Sequence, residues 1–116
     1  MSLSSDKYQS LVNLLEQLRT DISNVQVSTP ELKERVAALQ KLFGQEIIPL
    51  GVNANSREQS YQTEMSKQLR LLEVDVMFLQ GARQTSTVQT RLKTISDRLS
   101  TLVQYCQAVL QQGTQE

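Results

Sequence analysis

Apolar residues near the beginning of the chain recur at spacings that alternate between three and four. The series is Tyr8, Leu11, Leu15, Leu18, Ile22 and Val25. Because an α-helix has 3.6 residues per turn, this spacing places every member on one face. The pattern predicts a first helix over residues 5–24, and Val12 and Leu14 widen its apolar seam enough for burial among several neighbours.

A helix start follows almost at once. Thr29 suits the N-cap position, and Pro30 suits the first helical position, where its missing amide hydrogen costs nothing. The second helix is predicted over residues 30–48, since Pro49 disfavours helical geometry in the residue before it. Its seam slips by one residue at Glu46; the members are Leu32, Val36, Leu39, Phe43, Ile47 and Leu50.

Two longer helices are predicted over residues 56–80 and 86–112. The third opens at Asn55 or Ser56, each of which has a Glu or Gln three residues later, as in a capping box. Gly81 and Gly113 are placed to end the third and fourth helices. The inner seams are Met65, Leu69, Leu72, Val76 and Leu79 in the third helix, and Val88, Leu92, Ile95, Leu99, Leu102, Cys106 and Val109 in the fourth.

The connections between these helices are only about five residues long, which favours antiparallel neighbours. The predicted fold class is therefore all-α, an antiparallel up-down-up-down four-helix bundle with heptad-like seams. It forms a single helical domain over residues 1–116. The seam pattern is compatible with a bundle that dimerises.

A second apolar line runs along the third helix. Its members are Leu71, Val74 and Phe78, and it continues toward the N-terminus as Lys67 and Glu64. At about 100° per residue, Val74 lies almost opposite the inner seam. In a four-helix bundle this face meets solvent, and an exposed apolar cluster indicates an interface with a second copy or another protein. The alternative is that the third helix is central and the second face is core.

A stripe of Arg91, Arg98 and Tyr105 recurs every seven residues beside the seam of the fourth helix. Guanidinium groups with a tyrosine can hold an acidic peptide or a phosphate, so these residues are candidates for an electrostatic contact. Charges that flank a heptad seam also commonly pair with an adjacent helix. The second interpretation is favoured.

Composition excludes much of ordinary enzymology. The chain has no histidine, and therefore no imidazole for acid-base work or for a catalytic triad of the histidine type. Cys106 lies on an inner seam, where a buried and inert thiol is the default. We expect no enzyme activity, no cofactor and no metal site. The remote alternative is a small helical enzyme of the chorismate mutase type, but that chemistry needs basic residues on seams that are aliphatic here.

The 12 basic and 12 acidic residues cancel, so the chain has no net field to attract nucleic acid or an anionic membrane. The longest apolar run, Val76 to Leu79, is far shorter than the roughly 18 residues of a membrane-spanning helix. A single cysteine fits a reducing compartment. We expect a cytoplasmic protein that binds neither nucleic acid nor membrane.

Two segments resemble a known family. They are KYQSLVNLLEQLRTD, from Lys7 to Asp21, and REQSYQTEMSKQLRLLEVDVMFLQGAR, from Arg57 to Arg83; the later stretch YCQAVLQ agrees as well. Together they are similar to PatD, the cyanobacterial heterocyst frequency control protein family. The resemblance implies a cytoplasmic regulator of cell division and heterocyst differentiation. It also implies binding to the tubulin-like protein FtsZ, with an effect on FtsZ assembly and a position at the division site.

The alternative from a different class is a homo-oligomeric helical adaptor or scaffold without a role in division. Under either interpretation the working residues are those of the second apolar line with Lys67, as a partner or dimer interface. A homodimer is the expected form.

Overall fold

Four helices account for most of the computed structural model, which describes residues 3–115, with the side chains of residues 5–52 and 54–111. Helix α1 spans Leu3–Ser23, α2 spans Thr29–Leu42, α3 spans Ser56–Gly81 and α4 spans Thr85–Gln115. Residues 3–115 contain no strand, and the predicted all-α fold class is confirmed. The predicted domain of residues 1–116 extends past the described residues at both ends.

The N-caps of the middle helices are side-chain oxygens that accept a hydrogen bond from the third helical amide. The cap of α2 is Ser28, whose hydroxyl accepts from the amide of Glu31 at 3.3 Å, so the prediction of Thr29 as the cap was wrong by one residue. Asn55 caps α3 by accepting from the amide of Glu58 at 2.8 Å, as one of the two predicted options. Each cap satisfies an amide that the helix itself leaves without a partner.

The second helical segment continues beyond α2 in altered form. Residues Phe43–Ile47 make a π-helical turn, and Ile48–Asn53 follow as a 3₁₀ segment that starts one residue before Pro49. A π-turn inserts extra backbone without ending the helix. It therefore explains the slipped seam, because Ile47 is fully buried although it stands one position later than the heptad spacing requires.

Helix ends differ from the prediction at three places. Val25 was expected to close the first seam, but it lies outside α1 at φ 54° and is 83% exposed. Its amide bonds to the carbonyl of Ile22 at 3.1 Å, in the left-handed turn that commonly ends a helix and usually uses glycine. Gly81 is the last residue of α3 with Ala82 as its C-cap, and α4 continues through Gly113, so neither glycine acts as the predicted cap.

Helices α1 and α2 run in opposite directions. Lys7, near the start of α1, forms an ion pair with Glu46, after the end of α2. Asp21, near the end of α1, pairs with Arg35 early in α2 at 2.7 Å, and this guanidinium is the main cause that lowers the pKa of the Asp21 carboxyl. The ion pairs thus follow opposite orders along the two helices.

Helix α4 packs against both α1 and α3. Arg98 in the middle of α4 pairs with Asp75 of α3, and Tyr105 further along meets Tyr61, earlier in α3, with ring centroids 5.8 Å apart. These contacts make α3 and α4 antiparallel. The four inner seams close one aliphatic core, whose fully buried members include Leu11, Leu15, Leu18, Leu32, Met65, Leu72, Ile95, Leu99 and Leu102.

Candidate interaction surface

Helix α3 has two apolar faces, of which one is buried and the other is exposed. The predicted inner seam is buried throughout, from Met65 at 0% exposure to Leu79 at 5%. On the other face Leu71 is 41% exposed, Val74 38% and Phe78 54%. The alternative that this second face is core is therefore wrong for the single chain, because none of these three side chains is enclosed by the bundle.

The exposed cluster includes one residue that the sequence pattern did not single out. Met77 is 61% exposed and lies three residues after Val74, on the side of α3 that faces α2. Its position three residues from a member of the second line was the signal that could have identified it. We call Leu71, Val74, Met77 and Phe78 the outer surface of α3. Methionine is common at binding surfaces because its flexible thioether adapts to irregular partners.

A groove runs beside the outer surface, between α2 and α3. It encloses about 340 Å³ and is lined by Lys33, Val36, Ala37, Gln40, Glu73, Val76, Met77 and Gln80. Gln40 fixes the middle of the groove, since its amide donates to the Glu73 carboxylate at 2.8 Å and to the Leu69 carbonyl at 3.3 Å. The groove widens the apolar area on the α2 side of Met77.

An arginine borders the outer surface on the α4 side. The guanidinium carbon of Arg91 lies 4.6 Å from the centre of the Phe78 ring, within the range of a cation–π contact. This contact covers one face of the ring and leaves the rest of Phe78 exposed. Arg91, predicted as a residue for an electrostatic contact with a ligand, thus supports an apolar side chain of its own chain.

The rest of the arginine stripe is also directed at α3. Arg98 pairs with the buried carboxylate of Asp75 and donates to Gln68 at 3.3 Å, while Tyr105 packs on Tyr61. Asp75 is only 5% exposed, and it is the residue that the sequence reasoning missed here. The interpretation of the stripe as a free anion-binding surface is wrong for Arg98 and Tyr105. Both pack against the adjacent helix, as the favoured alternative stated.

The N-terminal end of the outer surface is charged. Lys67 donates to Glu64 at 3.1 Å, three residues earlier on the same helix. Their side chains are 63% and 45% exposed, so both remain accessible to a partner. Lys67, predicted as part of the interface, therefore lies on the same face as Leu71 and Val74, one turn toward the N-terminus.

A buried polar network closes one end of the bundle. The side-chain amide of Gln62 donates to the Tyr8 hydroxyl at 2.9 Å and to the Ile47 carbonyl at 3.0 Å. The Tyr8 hydroxyl in turn donates to Glu58 at 3.1 Å. Tyr8 is 1% exposed, and its burial raises the pKa of the phenol. Every group of this network is satisfied internally.

Cys106 is fully buried, as predicted, and burial alone raises the pKa of its thiol to about 12. The described residues contain no group of three or more His, Cys, Asp or Glu that could hold a metal ion. Glu73 and Asp75 lie on different sides of α3, one exposed and one buried. No helix in the described part of the chain is long and apolar enough to cross a membrane.

Comparison with known protein families gives a match over most of the chain. Residues 6–107 match the family described as the CRR41 C-terminal domain. This range covers most of α1, all of α2 and α3 and most of α4, and therefore includes the whole outer surface. No curated protein and no solved structure matches the chain.

Proposed function

The chain belongs to the CRR41 C-terminal domain family, and we propose that this member is a non-enzymatic regulator that binds the tubulin-like protein FtsZ and modulates its assembly. In this proposal it acts in the cytoplasm, at the division site, in cell division and heterocyst differentiation. The observation that carries the proposal is the outer surface of α3.

Three features support a binding role for the outer surface. Its four side chains are between 38% and 61% exposed although they are apolar. They are contiguous on one helix, which is the arrangement that marks an interaction site on a soluble protein. The charged and polar groups most suited to chemistry, such as Asp75, Arg98 and Gln62, already have hydrogen-bond partners within the chain.

FtsZ enters the proposal through sequence resemblance. The segment Arg57 to Arg83 is similar to the PatD family, and all four residues of the outer surface lie inside it. A regulator of a filament needs no active site, because differential affinity for the assembled or the unassembled state is sufficient to shift assembly. A protein with two copies of the same binding surface also bridges neighbouring filaments, with avidity in place of tight single-site binding.

Co-sedimentation with polymerising FtsZ tests this function directly. The purified chain should pellet with FtsZ in the presence of GTP, in amounts that rise with polymer mass, and remain in the supernatant when FtsZ is omitted. The double variant Leu71→Asp with Phe78→Asp should pellet much less. Leu14→Asp is the matched control, since Leu14 is an exposed leucine on α1, 47% accessible and away from α3.

The competing function is a homo-oligomeric adaptor unrelated to division. It is favoured by the three-and-four spacing of Leu71, Val74 and Phe78, which suits helix pairing with any helical partner. A wild-type chain that self-associates but stays in the supernatant of polymerised FtsZ would establish this second function and contradict the first.

A further inference from the structure

The outer surface of α3 is the middle of a longer stripe with coiled-coil spacing. Its central line and its extensions, Glu64, Lys67, Leu71, Val74, Phe78 and Gly81, follow one another at intervals of three, four, three, four and three. A stripe of this kind packs along a second helix, because the residues of one helix fill the spaces between those of the other. The occupant that fits the surface is therefore a helix of similar length.

The stripe is complementary to itself when it is reversed. In an antiparallel pair of α3 helices, Leu71 of one copy lies opposite Phe78 of the second copy, and Val74 lies opposite Val74. This register brings the apolar members of the stripe together, with the exposed Arg70 on the flank of the contact. An isologous arrangement of this kind has a two-fold axis, which here passes beside Val74, and it closes at two subunits.

The ends of the stripe are complementary in charge in the same register. Lys67 comes opposite Gly81 of the second copy, at the end of α3, where carbonyl groups are exposed and no basic residue stands in the last turn. A Cβ added to Gly81 would meet nothing within 4 Å, so the lysine stem has room to approach. A lysine at a helix C-terminus is favourable.

Glu64 also lies opposite a region of complementary charge in the second copy. It comes opposite the start of α4 in the second copy, where the helix has exposed amides and no acidic residue in its first turn. Arg83, an exposed residue of the preceding connection, lies at the same end. A parallel pair would instead place Lys67 beside Lys67 of the second copy and Glu64 beside its Glu64, and like charges at short distance are unfavourable.

We infer that two copies of this chain pair through α3 in an antiparallel register, with Val74 on the two-fold axis and with Glu64 and Lys67 on the helix ends of the second copy. The inference rests on the proposed function only in treating the outer surface as a binding surface, and it assigns this surface to the second copy, so that the pair would contact FtsZ through another face. It does not require FtsZ. Arg91 has a positioning role in this pair, because its guanidinium holds the Phe78 ring in place before the second copy arrives.

The solution mass is the first test. Sedimentation velocity of the wild-type chain at micromolar concentration should give twice the mass of one chain, and the variant Leu71→Asp with Phe78→Asp should give the mass of one chain with unchanged helical circular dichroism. Leu14→Asp should remain a dimer. A monomeric wild type, a larger assembly, or a dimer that survives the double substitution overturns the inference.

Disulfide trapping tests the register. In a Cys106→Ala background, chains with Leu71→Cys and chains with Phe78→Cys are mixed and oxidised with diamide. The antiparallel register predicts rapid formation of the mixed disulfide between the two variants, and rapid self-linking of Val74→Cys. Efficient self-linking of Leu71→Cys alone would indicate a parallel pair and overturn the register.

Exchanging the charges of Glu64 and Lys67 tests the proposed contacts at the ends of the stripe. This test does not depend on whether the variants of the apolar residues fold. The variant Glu64→Lys with Lys67→Glu keeps the ion pair within the chain but reverses both charges toward the second copy. Roughly tenfold weaker dimerisation is expected from four displaced charge contacts with helix ends, and added salt should reduce the difference. An unchanged dissociation constant overturns the assignment of Glu64 and Lys67 to the second copy's helix ends.

The same samples separate this inference from the FtsZ proposal. A wild-type dimer that does not pellet with FtsZ supports the pairing and contradicts the proposed function. A monomeric wild type that pellets with FtsZ, and that loses pelleting on substitution of Leu71 and Phe78, overturns the pairing and makes FtsZ the occupant of the outer surface.

Discussion

The two faces of α3 are built from the same kinds of residue and yet have different surroundings. Leu72 on the inner face has no exposed surface, while Leu71, the next residue in the chain, is 41% exposed. The inner face owes its burial mainly to α2 and α4, which pack against α3. Apolar periodicity therefore identifies each surface that needs a packing partner. The fold of the single chain covers only one of the two such surfaces on α3.

The largest difference between the faces should appear on truncation. Leu72→Ala leaves a cavity in a packed core and should lower the free energy of unfolding by about 3 kcal/mol. Leu71→Ala should change it by less than about 0.5 kcal/mol at concentrations where the chain is monomeric. Urea denaturation followed by circular dichroism measures both. Equal losses from the two substitutions would contradict the assignment of Leu71 to an open face.

The next effect concerns the carboxylate on the flank of the inner face. Asp75→Ala leaves the guanidinium of Arg98, whose side chain is only 25% exposed, without its ion-pair partner. The expected loss is about 2 kcal/mol, less than for a fully buried pair because water reaches part of Arg98. Glu73→Ala, two residues away and exposed, is the matched control and should cost less than about 0.5 kcal/mol.

A double substitution sharpens the same point. Asp75→Leu combined with Arg98→Met should recover most of the stability lost in Asp75→Ala, because two apolar side chains replace an ion pair without leaving a charge alone. A double variant as unstable as the single one would show that the pair also fixes the register of α3 on α4.

Alkaline pH should distinguish buried from exposed thiols. The pKa of Cys106 is about 12 in the folded chain, against about 8.5 for an unfolded cysteine. Its contribution to stability is complete below the lower value and is lost as the pH rises toward the higher one. The unfolding free energy should therefore fall by about 1.4 kcal/mol per pH unit more steeply than in Cys106→Ala between these limits.

The control for this measurement is a thiol on the outer surface. Met77→Cys in the Cys106→Ala background places a cysteine at a site that is 61% exposed, so it should leave the slope of stability against pH unchanged. Denaturation at a series of pH values provides both slopes. Parallel curves for the wild type and Cys106→Ala would contradict the burial of the native thiol.

The smallest effect belongs to the polar end of the inner face. Tyr8→Phe removes the hydroxyl that links Gln62 to Glu58, and should cost about 1 kcal/mol because the Gln62 amide keeps its bond to the Ile47 carbonyl. Tyr61→Phe, on a half-buried ring of α3, should change stability by only about a few tenths of a kcal/mol. Thermal unfolding of the two variants side by side measures the difference.

The positions of the helices could be predicted from the sequence because apolar spacing and cap residues are local signals. The seam of α3 from Met65 to Leu79 and the cap at Asn55 follow from such signals alone. The exposed line of Leu71, Val74 and Phe78 was predictable for the same reason, since the angle between two stripes on one helix depends only on the helical repeat.

Other features could not be predicted because they depend on how helices meet. The pairing of Asp75 with Arg98 requires the register of α3 against α4, which no local spacing encodes. The buried Tyr8 hydroxyl has the same origin, since its partners stand 50 and 54 residues away. At Val25 the hydrogen bonds of the helix end outweigh the poor fit of a branched residue to a left-handed turn.

The close contact between Gly51 and Gln62 constrains how the sequence can evolve at the polar end of the bundle. A Cβ at this position would lie 2.6 Å from Oε1 of Gln62, a side chain whose amide nitrogen already holds two hydrogen bonds. A larger residue at position 51 therefore forces Gln62 to give up those bonds or to be replaced by a shorter side chain. Among related chains that keep this 3₁₀ segment, positions 51 and 62 should vary together, and a change at one should predict a change at the other.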